Sequence, residues 1–277
     1  MRRPEPLGRV LLAAAVAAAV LAAGCSRLTF IRKDYTRSKQ VQVAPDYEFK
    51  STPEQRRRNE AAVHLSRADR ALAEGDAAAA AGHARDALRV DRNSVDALTL
   101  LGLMEARAGR TAEAGGYYRQ AAEGSPDNAV ALNNYGAWLC ANGRAAEAMP
   151  YFDRIIADPR QGNVANALAN AGACAEAAGQ PARVERDLRA ALELDPVNVV
   201  ALSSLAEYQY RNGRYLEARA FSERRLAAAP ASAGALLLAS QIEDRLGDRT
   251  AADRYRQRMG TEFPGTLSEQ AGESSRP

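Results

Sequence analysis

A glycine returns at intervals of 34 residues through most of this chain. Gly75, Gly109, Gly143, Gly179, Gly213 and Gly247 keep the beat, with a single step of 36 between Gly143 and Gly179. A small residue stands five positions after each: Ala80, Ala114, Ala148, Val184, Ala218 and Ala252. Prolines follow the same period at Pro126, Pro196, Pro230 and Pro264, with Pro159 one position early. In the third copy Leu132, Tyr135, Gly136 and Leu139 fall at i, i+3, i+4 and i+7, one apolar stripe on a helix. Ala148, Phe152 and Ile155 repeat that stripe on a second helix, which Pro159 is placed to stop. Gly143 lies between the two, where ending a helix in the left-handed region is cheap only for glycine. Gly136 has room for the partner helix to come close. Ser94, Asn128, Asn163, Asn198 and Ser232 precede the successive first helices, with side-chain oxygens suited to accept from orphan backbone N–H groups.

A 34-residue unit of two helices cannot bury its stripe alone, whereas stacked units make one continuous core. The pattern Leu-x-x-Tyr/Leu-Gly, then Ala-x-x-x-Phe/Tyr, then Pro resembles the tetratricopeptide repeat. The expected fold is all-α, a right-handed superhelix of about six helix–turn–helix repeats. They occupy 61–94, 95–128, 129–164, 165–198, 199–232 and 233–266 of a repeat domain spanning 60–266. The first is weak, because Arg67 and Arg70 sit near its apolar stripe; terminal repeats often depart this way. The third carries two extra residues near 158–163, expected in a loop. Residues 267–277 are polar and read as a disordered tail.

The N-terminus has a different character. Arg2, Arg3 and Arg9 precede an apolar run over 10–23, shorter than the ~20 residues a spanning helix needs. Residues 1–24 therefore read as a signal peptide. The run ends Leu21, Ala22, Ala23, Gly24, Cys25, which looks like a bacterial lipobox with Cys25 as the lipidated residue; a chance cysteine after an ordinary signal is the alternative. In such lipoproteins Ser26 after the cysteine implies the outer membrane. Residues 25–59 lack periodicity and read as a lipid-anchored flexible tether. The formal charge is only +3, most of it in residues 1–24, so the body presents mixed signs and no nucleic-acid footprint.

Catalytic residue types are sparse. His64 and His83 lie 19 apart, which is not a metal-ligand spacing on one helix, and they read as surface or packing residues. No nucleophile elbow, phosphate loop or dinucleotide glycine pattern occurs. The expectation is a non-catalytic chain with no cofactor, no metal site and no small-molecule substrate. Cys140 and Cys174 lie on first helices of adjacent repeats. The oxidising periplasm and the even count left once Cys25 is lipidated favour a disulfide; two buried thiols are the alternative.

In proteins of this repeat class first helices line the concave face, with inward positions at 2, 5, 6, 9, 12 and 13. That puts Asn133, Asn134, Ala137 and Ala141 in the groove, then Asn166, Asn170 and Glu176, then Ser203, Glu207, Tyr210 and Arg211. Asparagine offers both donor and acceptor to a peptide backbone. The opposing reading is that Asn134 and Asn170 cap or pack between helices.

The strings running from Leu132 through Asn133, Asn134, Tyr135 and Gly136 to Cys140, from Asn170 to Cys174, and from Phe263 to Thr266 narrow the resemblance. Together with the lipobox they resemble the type IV pilus biogenesis and stability lipoproteins, the PilF/PilW family. That resemblance implies a pilotin-like protein that binds the pilus secretin and helps it localise and multimerise, acylated at the outer membrane's periplasmic face. Arg92 stands where the first repeat's proline would be. A scaffold lipoprotein for another envelope machine, in cell-wall synthesis or outer-membrane protein assembly, is the alternative.

Overall fold

The computed structural model describes residues 51–158, 160 and 162–264. The signal peptide, Cys25, the tether as far as residue 50, Pro159 and the tail 267–277 lie outside the described residues. Those described form twelve helices and no strand. They pair as α1 (Pro53–Ala73) with α2 (Ala77–Val90), α3 (Val95–Arg107) with α4 (Thr111–Gly124), and α5 (Ala129–Ala141) with α6 (Ala145–Ala157). The series continues as α7 (Val164–Ala175) with α8 (Ala182–Leu194), α9 (Val199–Arg211) with α10 (Tyr215–Ala228), and α11 (Ala233–Leu246) with α12 (Arg249–Glu262). One hairpin falls in each 34-residue unit, and the stack is the expected all-α superhelix.

The beat glycines make the turns. All six have φ between +73° and +84°, the region where a side chain is strained. Within the third hairpin Leu132, Tyr135 and Leu139 of α5 are buried against Ala148, Phe152 and Ile155 of α6. Close approach depends on Gly136, where a Cβ would stand 2.7 Å from Phe152 Cε1. Burying side chains such as Phe152 and Leu132 contributes ~1.5–3 kcal/mol each.

The core is heaviest around this hairpin and thins toward the N-terminus. Buried side chains gather in several clusters rather than one unbroken core. Around α1 the cluster is only Ala61, Ala87 and Ala97 with half-buried Leu65 and Leu88, because alanine side chains bury little apolar surface.

Two sequence expectations change. Helix α1 begins at Pro53, so residues 53–59 are helical and not tether. The signals are local: Thr52 Oγ1 accepts from the Gln55 N–H at 3.1 Å, and Pro53 sits where its missing N–H costs nothing. Asn163 does not cap α7. Ser94, Asn128, Asn198 and Ser232 do cap their helices, but Asn163 lies at φ 62° just after Gly162 at φ 73°. The two extra residues lead into this left-handed pair, and the Asn163 side-chain oxygen accepts from the Asn166 amide in place of a backbone N–H.

Candidate protein-binding face

First helices of successive repeats pack on one another from α3 through α11, whereas successive second helices do not meet to that extent. The closer-spaced row is the inner row of a curved stack, so the first helices line the concave face.

Polar side chains tie this row together. Asn134 Nδ2 donates to Thr99 Oγ1 at 3.4 Å, joining α5 to α3. Asn170 Nδ2 donates to Asn133 Oδ1 at 2.9 Å, joining α7 to α5. Asn198 Nδ2 donates to Asn166 Oδ1 at 2.8 Å, and Asn166 donates to Asn163. Arg211 pairs with Glu176 at 2.7 Å, both more than half exposed. Of the expected groove residues, Asn133 is buried, Asn134 and Asn170 are half-buried with amides committed to neighbouring helices, and Asn166, Glu207 and Arg211 are exposed.

Tyr210 is held in a cluster that spacing alone does not reveal. Its ring stands 5.6 Å from that of Tyr215, and Arg245 lies 5.7 Å over Tyr215, where the two tyrosines raise the arginine's pKa, Tyr210 most. Arg214 covers Tyr208 at 5.8 Å. Arg214 and Tyr215 lie just past the turn of the same hairpin, Tyr215 opening α10, and Arg245 belongs to the next repeat, so the signal was three-dimensional. The Arg189 hydrogen bond, with Arg214 adding its charge, holds the Glu185 carboxyl below the usual glutamate range. Gln209, fully buried, donates to the same carboxylate at 3.2 Å.

The junction with the two extra residues is the most heavily tied. Cys140 and Cys174 form a disulfide with Cα atoms 5.9 Å apart, inside the ~4.4–6.8 Å a bridge requires. The Asn133–Asn170 bond lies on the same two helices. On the second helices Arg183 joins Asp187 at 2.8 Å and Asp153 at 2.7 Å. Away from this junction, in the first two repeats, a cleft of 610 Å³ opens beside the N-terminal ends of α1, α3 and α5, lined by Glu54, Arg57, Arg58, Asp96 and Asn128 among others.

His64 and His83, far apart in sequence, come together. Their ring nitrogens and an Asp86 carboxylate oxygen all lie within 4.8 Å of one another.

A stack of helical hairpins with small-residue contacts and a polar inner row defines a tetratricopeptide-repeat solenoid. Family models described as tetratricopeptide repeat match residues 65–129 and 105–171. Proteins of this fold are generally non-catalytic scaffolds for protein–protein contact. More particularly, the chain is similar to PilW, a widely conserved type IV pilus biogenesis factor: 28% identity, TM-score 0.64, covering 76% of this chain and 97% of that one. PilF of Pseudomonas aeruginosa shares the fold at 24% identity and TM-score 0.60, covering 79% and 99%. A tetratricopeptide repeat protein of Parabacteroides merdae does so at 15% and 0.62, covering 76% and 82%. No curated protein matches the chain in sequence. The resemblance to the type IV pilus biogenesis proteins PilF and PilW, drawn from the Asn-Asn-Tyr-Gly and Asn-Ala-Gly-Ala-Cys strings, is borne out.

Proposed function

We propose that this chain is an outer-membrane lipoprotein that binds the type IV pilus secretin and assists its localisation and multimerisation, without catalysis. The observation carrying this reading is the similarity to PilW over nearly all of that protein's length. The concave row suits the task. Exposed Glu207 and the adjustable Glu176–Arg211 pair offer charge to a partner, and Tyr210 offers a ring already fixed by Arg245 and Tyr215. Asn133 and Asn170 serve the groove indirectly, by fixing the spacing of the helices that line it.

Acyl chains on Cys25 would hold the body at the periplasmic face, each buried CH₂ contributing ~0.8 kcal/mol. Anchoring then confines protein and partner to the same surface, which raises their effective concentration without any new contact. Cys25→Ser tests the anchor: the variant should leave the outer-membrane fraction. Wild-type fractionation of the variant would rule the lipid anchor out.

A further inference from the structure

We propose that His64, His83 and Asp86 form a binding site for a zinc-class divalent cation that clips α1 to α2. His83 and Asp86 stand three apart on α2 and share a face, and His64 meets them from α1. Each is half-buried, and one ligand atom from each lies within 4.8 Å of the others. His64 Nδ1 stands 3.9 Å from Asp86 Oδ2. That nitrogen is buried and has no hydrogen-bond partner among the described residues. The other Asp86 oxygen is occupied by Arg89, which leaves Oδ2 turned to the histidine. A carboxylate steadied through one oxygen while the other faces an imidazole is the arrangement outer-shell partners give metal ligands.

The donor set decides the cation. Two neutral imidazoles and one carboxylate suit zinc and its neighbours, whereas calcium and magnesium want oxygen alone. With bonds of ~2.0–2.1 Å in a tetrahedral site, two ligand atoms of one zinc ion stand about 3.4 Å apart. The three donor atoms, now within 4.8 Å of one another, must draw together by rotation of half-buried side chains. Three protein ligands leave a fourth position for water. The location gives the site a purpose, because the first hairpin has the thinnest apolar core in the stack and a cross-helix clip supplies what alanine does not.

The sequence holds only two histidines, which makes the test clean. The full chain, purified without a histidine tag, is titrated with ZnCl₂ by calorimetry and with CoCl₂ by visible absorption, and melted with zinc or with chelator. One equivalent should bind, and a hundredfold excess over Kd should raise the melting midpoint by several degrees. Co²⁺ should show the intense bands of a low-coordinate nitrogen-ligated ion. His64→Gln, His83→Gln and Asp86→Asn should each weaken binding at least ~10-fold. Zinc binding that the two histidine variants leave unchanged, or an absence of one-equivalent binding, would overturn the site. Should His83→Gln lose its helical circular dichroism, the wild-type cobalt spectrum decides: aquo-ion bands alone refute the proposal.

Discussion

Asn170 on α7 donates its side-chain amide to Asn133 on α5 at 2.9 Å, across the one junction where the 34-residue beat slips to 36. Asn133 is only 8% exposed, so its oxygen has little access to another donor. Asn170→Ala should therefore cost ~1–3 kcal/mol, the penalty of orphaning a buried polar atom. Urea unfolding monitored by circular dichroism measures it. An unchanged midpoint would mean that the Asn170 amide is free for a partner and carries no structural duty.

The disulfide should contribute more. Cys140 and Cys174 are 34 residues apart in sequence, and closing such a loop stabilises by ~3–4 kcal/mol in the chain-entropy account. A Cys140→Ala, Cys174→Ala double variant should unfold at lower denaturant than the oxidised chain and ignore added reductant. Two alkylatable thiols in denatured, unreduced protein from the periplasm would show that the bridge does not form there.

Acid should weaken the stack in a definite window. Hydrogen bonds from Arg110, Arg144 and Arg189 hold Glu105, Glu147 and Glu185 below the usual carboxylate range. Such groups bind protons more weakly folded than unfolded, so protonation favours unfolding. Their contribution is intact above the ordinary glutamate value of about 4.3 and is lost as pH falls below it through the lowered values. Melting midpoints should be flat near neutrality and drop below about pH 4, with Glu185→Gln making the drop shallower. An equally steep drop in that variant would remove Glu185 from the account.

Much of this was legible in sequence, because glycine, proline and apolar spacing are local signals. The left-handed glycines at the turns, the Leu132–Tyr135–Leu139 stripe and its Phe152 partner follow from spacing alone. The start of α1 was also written locally, in Thr52 and Pro53, but was masked by arginines that lack an apolar stripe. The asparagine bonds were not legible. An inward position says which way a side chain leaves its helix, not whether the next helix comes near enough to take its hydrogen bond, and that depends on curvature. Asn163 failed as a cap because an insertion alters backbone that a cap residue cannot control. His64 and His83 looked unrelated because hairpin pairing, not helix periodicity, brings them together.

The proposed partner of the concave row is the type IV pilus secretin. Purifying the full chain from detergent-solubilised membranes of its own bacterium, and identifying what comes with it, tests this most directly. The secretin should co-purify with the wild-type chain and be depleted several-fold with Tyr210→Ala, Arg211→Glu, a change on α9 that leaves the Asn133–Asn170 bond and the disulfide in place. Recovery of cell-wall synthesis or outer-membrane assembly proteins in place of the secretin would contradict it.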